Sequence, residues 1–423
     1  MENQRLNILA VCQHYWPEPF NVHEICVGLV DAGHNVTVLT GLPNYPDGGI
    51  AEEYKRGRNR ECTKDGVKIV RAPIIARGKD LKGINRFKRV LNYFSFCFSG
   101  SMASRKLRGF DLVIAFEFSP ILMVEPAIRV SKRERIPLVI YAFDLWPEDL
   151  ITGGISKTGS IYKIMKKYSA RTYSKANAIA VTSPDFRDYM KGFLEVEKPD
   201  YFYLPQYAEE MFESLGSDDA NTTGRVEAHA CPRAFNIVFA GNIGGNQALD
   251  SAIRAMSLLD AKSSACLNIY GGGSRLDQCM ELTKSLGVED RVRFYGRKPL
   301  NDMPEVYDEA DAMLLSLAGS KNESLVSAYT IPRKLQSYMA AGKPILASVD
   351  GVAGRIVTES GAGLSCGSEA PEQLAEIMQQ MEAMNADELS TMGRSSREYY
   401  ENNFSRKLFF SRLEDIVTKV VQK

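Results

Sequence analysis

A proline followed by two cations opens a predicted helix in the C-terminal half of the sequence. Pro332 suits a first helical turn because its missing N–H would be unpaired there in any case. Gly342 is a typical stop signal at the other end. Arg333 and Lys334 then fall in the first turn, where cations oppose the helix macrodipole. An anion shared by the helix N-terminus and both side chains would remove that conflict, and a diphosphate fits. The alternative is that both cations point into water.

Glycine-rich loops follow two predicted strands of the same half. Residues 241–245 read Gly-Asn-Ile-Gly-Gly and lead into a helix, and residues 271–273 are all glycine. Glycine lets the backbone approach a ligand closely, and a helix N-terminus offers unpaired N–H groups to an anion. A tight strand-to-helix turn is the plainer alternative. After a third strand, Tyr295, Arg297 and Lys298 could flank a base or a phosphate.

Aromatic residues, prolines and carboxylates crowd three loops of the N-terminal half. Residues 13–21, 41–46 and 144–149 each follow a predicted strand, and both tryptophans stand beside a proline and near a glutamate. Aromatic faces bind sugar rings, and carboxylates accept hydrogen bonds from hydroxyls or abstract protons. The alternative is that Asp144 caps a helix and Trp146 belongs to the core.

The elements that position these loops alternate between strand and helix. Apolar runs typical of a parallel sheet covered on both faces recur in both halves, at residues 6–12, 35–40, 67–73, 110–116, 138–143 and 178–182, and again at 236–240, 266–270, 292–295, 312–317 and 344–349. We predict two doubly wound, Rossmann-like α/β domains, residues 1–205 and 233–399, that face each other across a cleft. Residues 206–232 form a linker, and a helix at about 400–423 packs back on the first domain. Ligands of such sheets bind at the carboxyl ends of the strands.

Residues 77–108 combine a strong basic excess with aromatic side chains. Nine cations stand against one acid, Asp80; they are Arg77, Lys79, Lys82, Arg86, Lys88, Arg89, Arg105, Lys106 and Arg108. Phe87, Phe94 and Phe98 lie between them. This pattern suits an amphipathic surface on anionic lipid. A core helix with a solvated basic face is the alternative, because Phe94, Cys97 and Phe98 also fit a core stripe.

The bulk composition sets limits on location and partners. Lys plus Arg equals Asp plus Glu at 52 each, so the charge gives no indication of nucleic acid as a partner. The eight cysteines include no CxxC pair, which favours reduced thiols in the cytoplasm. We expect no signal peptide and no spanning helix, and hence only peripheral contact with lipid.

Five stretches, taken in order along nearly the whole chain, resemble one family. They are residues 14–20, 39–46, 144–148, 241–244 and 332–344. The chain is similar to the retaining glycosyltransferases of family 4, which have the GT-B architecture, and within them to the WbuB-like transferases of bacterial surface polysaccharide synthesis. The resemblance implies a nucleotide sugar in the C-terminal domain and an acceptor in the N-terminal domain. It also implies metal-independent catalysis with no cofactor, and no Asp-x-Asp motif occurs in the chain.

Two departures from the family pattern concern the donor. Many members carry two glutamates eight positions apart, where this sequence has Tyr329 and Ser337. An Arg/Lys pair common in the first loop of the second domain is replaced by Asn242 and Gln247.

We therefore predict a transferase that moves a sugar, most simply from a UDP-sugar, to a lipid-linked saccharide in O-antigen, capsule or exopolysaccharide synthesis. The predicted catalytic or acceptor-orienting residues are Asp144, Glu18 and Glu148. The predicted donor-binding residues are Gly241, Asn242, Gly244, Gly245, Tyr295, Arg297, Thr330, Arg333, Lys334 and Ser337. The predicted acceptor-binding residues are His14, Trp16, Asn44, Tyr45 and Trp146.

Other functions remain as alternatives. A nucleotide-sugar epimerase of the same architecture would need neither lipid nor acceptor. A non-catalytic peripheral membrane scaffold would bind lipid without nucleotide. A nicotinamide-dependent dehydrogenase is disfavoured, because no GxGxxG with a downstream acid follows the first strand.

Overall fold

The computed structural model describes residues 5–78, 84–118, 120–215, 234–319 and 325–423. The chain divides into two compact units, one formed by Met1–Leu204 with Phe410–Lys423 and the other by Pro205–Phe409. Each unit is built on one sheet flanked by helices, which confirms the predicted pair of Rossmann-like α/β domains.

The sheet of unit 1 has eight strands in the order β3-β4-β2-β1-β5-β6-β7-β8. The strands are β1 (Asn7–Val11), β2 (Asn35–Gly41), β3 (Glu61–Lys64), β4 (Val67–Ala72), β5 (Leu112–Glu117), β6 (Leu138–Ala142), β7 (Ala178–Val181) and β8 (Asp200–Tyr203). All neighbours pair in parallel except β3, which runs antiparallel to β4 at one edge. The chain reverses its direction of winding at β1, which lies between β2 and β5. The loops after these strands are therefore where a ligand is expected.

Continuous apolar sequence explains the central strands of unit 1. Every residue of β5 and β6 is buried, as expected for strands covered on both faces. The covering helices are α1 (Val22–Asp31), α2 (Ile84–Ala103), α3 (Glu125–Glu134), α4 (Asp149–Thr152), α5 (Ser160–Tyr173) and α6 (Pro184–Gly192). The edge strands β3 and β8 are missing from the sequence prediction because their exposure leaves no continuous apolar run.

The sheet of unit 2 is wholly parallel, in the order β11-β10-β9-β12-β13-β14. Its strands are β9 (Asn236–Asn242), β10 (Cys266–Gly272), β11 (Val292–Gly296), β12 (Ala312–Ser316), β13 (Ile345–Ser348) and β14 (Gly363–Cys366). Its helices are α7 (Glu210–Glu213), α8 (Leu249–Leu258), α9 (Leu276–Leu286), α10 (Met303–Asp308), α11 (Val326–Tyr329), α12 (Arg333–Ala340), α13 (Val352–Glu359), α14 (Pro371–Glu382) and α15 (Ala386–Asn403). The winding reverses between β9 and β12, so the loop after β9 is the equivalent ligand position.

The last helix, α16 (Arg406–Val421), contributes its C-terminal part to unit 1. His34 Nε2 lies 3.1 Å from Glu414 Oε2, and His34 Nδ1 accepts the backbone N–H of Leu6. The Phe410 ring packs directly on Gly28, where an added Cβ would lie 2.0 Å from Phe410 Cε1. Glycine at position 28 is thus required for this helix to dock.

Candidate active site

The Glu18 carboxylate joins two of the predicted acceptor loops in unit 1. It accepts the backbone N–H groups of Tyr15 at 3.2 Å, Asn44 at 2.7 Å and Tyr45 at 2.7 Å. It also lies 2.9 Å from His14 Nδ1, and the side chain is almost fully buried. The prediction that Glu18 orients a substrate is therefore corrected. Both of its oxygens are engaged in holding the loop after β1 against the loop after β2.

Asn44 is likewise a supporting residue and not an acceptor contact. It is buried, its Oδ1 accepts from Asn92 Nδ2 and from the backbone N–H of Arg77, and its Nδ2 donates to the Leu42 carbonyl. Asn92 lies on α2 and also accepts from Gln13 Nε2 at 2.6 Å. The side of α2 that carries Asn92 is thus hydrogen-bonded to the loop after β1 and to the loop after β2.

A row of aromatic side chains lies in and beside these loops. It includes His14 and Tyr45, which were predicted to bind the acceptor. The His14 ring stacks on Phe20 at 5.3 Å, and Phe20 contacts Tyr45 at 5.3 Å and Phe118 at 5.2 Å between centroids. Phe118 stacks in turn on Phe143 at 4.5 Å. Tyr45 is 38% exposed, so it can present a face to a sugar ring. Phe118 and Phe143 directly follow β5 and β6 and belong to no local motif, so the sequence alone does not indicate that they extend this row.

Asp144 and Glu117 stand at the ends of the neighbouring strands β6 and β5. Asp144 is half-buried, whereas Glu117 is fully buried and its Oε1 has no partner among the described residues. Burial, followed by the charges of Asp144 and Asp149, raises the pKa of Glu117 well above its usual value. Two carboxyl groups in contrasting surroundings are a frequent feature of functional sites. Asp144 therefore keeps its place as the candidate for orienting an acceptor hydroxyl.

The structure corrects two further predictions in unit 1, those for Glu148 and Trp146. Glu148 is inaccessible and accepts the hydroxyls of Tyr162 at 2.5 Å and Tyr189 at 2.9 Å, so it is a structural carboxylate. Trp146 is buried in the core, as the alternative interpretation held. Trp16 turns toward the β3–β4 hairpin, with the cations of Lys64 and Arg71 within 6 Å of its ring.

Lys334 is the most unusual cation of unit 2. Its Nζ is shielded from solvent, lies 4.0 Å from the Phe239 ring centroid and has no hydrogen-bond partner among the described residues. Desolvation lowers its pKa to about 8. A Cβ added at Gly241 would lie 2.6 Å from Nζ, so the loop after β9 runs directly against this ammonium. Lys334 is in the first turn of α12, which begins at Arg333 with Pro332 as its N-cap and not, as predicted, as its first helical residue.

Close packing at the ends of β9 and β10 explains Gly271 and Gly273. A Cβ at Gly271 would lie 1.8 Å from the Gly241 oxygen, and one at Gly273 would lie 2.3 Å from the Ile243 oxygen. Gly271 near the end of β10 and Gly273 directly after that strand therefore allow the chain to pack closely against the end of β9, and they give no evidence of a ligand. Asn242 is exposed beside Gly244, whose N–H donates to Gln247 Oε1.

A small pocket next to the β9 loop brings in a cation that the sequence analysis missed. Gly244, Gly245, Arg275 and Glu369 are among the residues that line its volume of about 110 Å³. Arg275 directly precedes α9, two positions after the run of three glycines. A cation closely following a glycine-rich loop is the signal that could have identified it.

Two tyrosines near the ends of β10 and β11 form a stack. Tyr295 lies on Tyr270 with ring centroids 4.6 Å apart and an interplanar angle of 8°, and its hydroxyl donates to Asn268. Lys298 lies 5.5 Å from the centroid of the Tyr270 ring, while Arg297 is exposed and lies along Gly272. One face of Tyr295 is thus covered by protein. Whether these residues flank a base stays a prediction.

The remaining predicted donor residues surround the start of α12. Thr330 is half-buried just before the helix. Arg333 Nη2 lies 3.4 Å from Glu209 Oε1, and the Ser337 hydroxyl donates to Glu209 Oε2 at 2.8 Å. Glu209 comes from the segment predicted as a linker.

Comparisons with known proteins agree with this arrangement. The model of the family described as "Glycosyl transferase 4-like domain" matches residues 21–205, and that of "Glycosyl transferases group 1" matches residues 231–399. The chain is a glycosyltransferase. Its predicted enzyme class is thereby confirmed.

Relatives of this glycosyltransferase include two bacterial proteins. WbjE of Pseudomonas aeruginosa, named as a probable glycosyltransferase, is 27% identical over 317 residues, which are 74% of this chain and 75% of that protein. WcaI of Escherichia coli K12, whose name connects it to colanic acid biosynthesis, is 23% identical over 351 residues, which are 80% of this chain and 82% of that protein. The crystal structure of Anabaena HepE in complex with UDP matches with a TM-score of 0.66 and 12% identity, covering 98% of this chain and all of that one. The predicted GT-B fold is confirmed.

In the part of the chain that the structure describes, no helix is both long enough and apolar enough to cross a bilayer.

Proposed function

We propose that this glycosyltransferase moves a sugar, with retention of anomeric configuration and without a metal ion, from a UDP-sugar to a lipid-linked saccharide at the inner face of a bacterial membrane. The product would belong to a surface polysaccharide such as O-antigen, capsule or exopolysaccharide, as in the WbuB-like subgroup. The colanic acid name of one relative and the UDP complex of a protein with the same fold support this assignment.

The buried Lys334 ammonium is the observation that carries the proposal for the donor. A buried cation without a hydrogen-bonding partner is costly, and the protein holds it at the start of a helix and against a glycine backbone. A diphosphate would supply the missing counter-charge and would also accept the unpaired N–H groups of the first turn. Lys334 and the N–H groups at the start of α12 would then balance the negative charge of the diphosphate, as a divalent ion does in other transferases.

The reaction that these groups support is a displacement at the anomeric carbon. The bond from C1 to the β-phosphate oxygen breaks while the acceptor oxygen bonds to C1 on the same face, and the hydroxyl proton passes to the departing phosphate oxygen. Negative charge accumulates on the β-phosphate, so donors already aimed at it lower the barrier. Lys334 and the α12 N-terminus supply those donors, and Asp144 orients the acceptor hydroxyl.

Thermal shift with UDP-, GDP- and dTDP-sugars, with and without EDTA, tests the donor proposal. We expect a UDP-sugar to stabilise the protein equally under both conditions and Lys334→Met to remove the effect. Lys343→Met is a matched control, because Lys343 is also buried but donates to the carbonyls of Asp308 and Ala310. A shift that needs a divalent ion, or one that survives in Lys334→Met, would overturn the proposal. An anomeric coupling constant of the product, measured by NMR, tests retention.

An exposed apolar face on α2 carries the proposal for the lipid-linked acceptor. Its members recur every three or four residues; they are Phe87, Val90, Phe94, Phe98 and Met102, between 45% and 72% exposed. Phe94 and Phe98 therefore do not belong to the core, whereas Phe96 on the same helix is fully buried. The opposite side of α2 carries Asn92, which holds the acceptor loops.

Exposed cations lie on or next to α2, and α5 carries two exposed apolar residues of its own. Lys88, Arg105 and Lys106 are exposed on or directly after α2, and Ile161 and Ile164 are 57% and 66% exposed on α5. Lys79 and Lys82 lie outside the described residues, as does the side chain of Arg86. Aromatic residues among cations suit the interface of an anionic bilayer, where each cation contributes about 1 kcal/mol.

Sedimentation with phospholipid vesicles tests the membrane proposal. We expect binding to vesicles that contain phosphatidylglycerol, weaker binding to pure phosphatidylcholine, and loss of binding in the double variant Phe94→Ser/Phe98→Ser. Leu258→Ser/Met280→Ser is the control, because it removes equally exposed apolar side chains from unit 2. Equal sedimentation of the two double variants would contradict the proposal.

A further inference from the structure

Glu209 occupies an unexpected position beside the helix that carries Lys334. Its carboxylate accepts the Ser337 hydroxyl at 2.8 Å and lies 3.4 Å from Arg333 Nη2. Arg333 and Ser337 are one turn apart on α12, so Glu209 lies along the first turn of that helix. The segment that carries Glu209 read as a linker, and no sequence motif marked it.

Several contacts within unit 2 fix this segment in place. Phe212 stacks on Tyr307 with centroids 4.4 Å apart and an interplanar angle of 10°. Tyr400 receives the backbone N–H of Ala208 and donates its hydroxyl to Glu213 Oε1 at 2.5 Å. Glu209 is thus held between two anchored positions.

An ion pair alone does not account for this arrangement. The Arg333 and Glu209 side chains are 30% and 23% exposed, and ion pairs that are accessible to water contribute little to stability. A carboxylate has about four acceptor positions. Ser337 and Arg333 are its recorded polar partners among the described residues, which leaves positions open for further donors.

We infer that Glu209 binds the vicinal 2′ and 3′ hydroxyls of the donor ribose, with Ser337 as its positioning residue. The inference rests on the proposed function, because it requires the diphosphate to lie at the start of α12. The ribose is attached directly to the diphosphate, and its two hydroxyls need acceptors that the cationic helix start does not provide. Carboxylates fill this role toward the ribose of other nucleotides. The predicted donor role of Ser337 becomes indirect, through the carboxylate that it orients.

Calorimetric titrations of UDP and inorganic pyrophosphate test this inference. We expect Glu209→Ala to weaken UDP binding about tenfold or more, because hydrogen bonds to a charged acceptor are lost, and to leave pyrophosphate binding unchanged. UDP and its 2′,3′-dideoxy analogue should bind Glu209→Ala equally, although they differ in the wild type. Glu210→Ala is the matched control, because this neighbouring carboxylate is 84% exposed and forms an ion pair with Arg406 of α16 at 3.6 Å. Equal losses for UDP and pyrophosphate would overturn the inference and would show that Glu209 acts only through Arg333.

A swap of residues tests the same point by rescue. The double variant Glu209→Ser/Ser337→Glu returns a carboxylate to the same place from the helix itself, and we expect it to recover most of the UDP affinity lost in Glu209→Ala. If the wild type binds neither UDP nor pyrophosphate, the proposed function and the inference fail together. If the wild type binds UDP and the dideoxy analogue equally, the inference alone fails.

Discussion

Replacing Lys334 with methionine should stabilise the free protein while removing its affinity for a diphosphate. Desolvation lowers the Lys334 pKa from 10.5 to about 8, and that difference corresponds to a cost of about 3 kcal/mol for keeping the ammonium charged in the folded protein. Methionine has a similar length and no charge, so the variant should gain up to about 3 kcal/mol of unfolding free energy at pH 7. If Lys334 served only to stabilise the fold, its replacement by methionine would instead lower the free energy of unfolding.

The pH dependence of this gain follows from proton binding. Between pH 8 and 10.5 the unfolded chain binds more protons at Lys334 than the folded chain, so stability of the wild type rises with pH through that interval. The advantage of the methionine variant should therefore shrink to below about 1 kcal/mol at pH 10. Urea unfolding of the wild type and of Lys334→Met at pH 7 and pH 10 measures this difference in unfolding free energy.

Ligand binding gives the second half of this prediction. A bound diphosphate should keep Lys334 protonated, so UDP binding at pH 8 should take up about half a proton. Titrations in two buffers of different ionisation enthalpy measure this uptake, and UDP itself contributes little to it, because a terminal phosphate with a second pKa of about 6 is already almost fully ionised at pH 8. Unchanged stability of the variant together with no proton uptake in the wild type would refute the assignment of Lys334.

Three further predictions separate functional residues from structural ones. Asp144→Asn should lower the transfer rate with little change in melting temperature, whereas Glu148→Ala should cost about 2 kcal/mol or more by removing the buried carboxylate that accepts two tyrosine hydroxyls; melting temperatures and initial rates of both variants test this. Gly271→Ala should destabilise unit 2 by more than about 2 kcal/mol, because its Cβ would overlap a backbone oxygen at 1.8 Å, and denaturant unfolding checks this. Gly28→Val should release the end of α16 from unit 1, so amide exchange in residues 410–423 should rise while exchange in β9 does not.

The sequence predicts the central strands well because parallel strands buried on both faces are continuous apolar runs. β5 and β6 lie within two residues of their predicted bounds. The edge strand β14 was missed, because Gly363–Cys366 is short and only half-buried. The local hydrophobic pattern therefore predicts a strand well where both faces of the sheet are covered by helices. It predicts a strand poorly at the edge of the sheet.

The candidate site is less predictable because its partners are distant in sequence. Glu148 follows a strand in a loop typical of function, yet Tyr162 and Tyr189 from two later helices turn it into a buried structural group. Glu209 shows the reverse case, since its partner Ser337 is 128 residues away and no local pattern announces the contact. Residue type and position after a strand identify candidates, and the tertiary partners then decide their roles.

A crystal structure of the protein with UDP, grown in the presence of EDTA, tests the central claim most directly. We predict that the diphosphate lies within hydrogen-bonding distance of Lys334 Nζ and of the first N–H groups of α12. A diphosphate bound elsewhere in unit 2, or one seen only when a divalent ion is restored, would contradict this account.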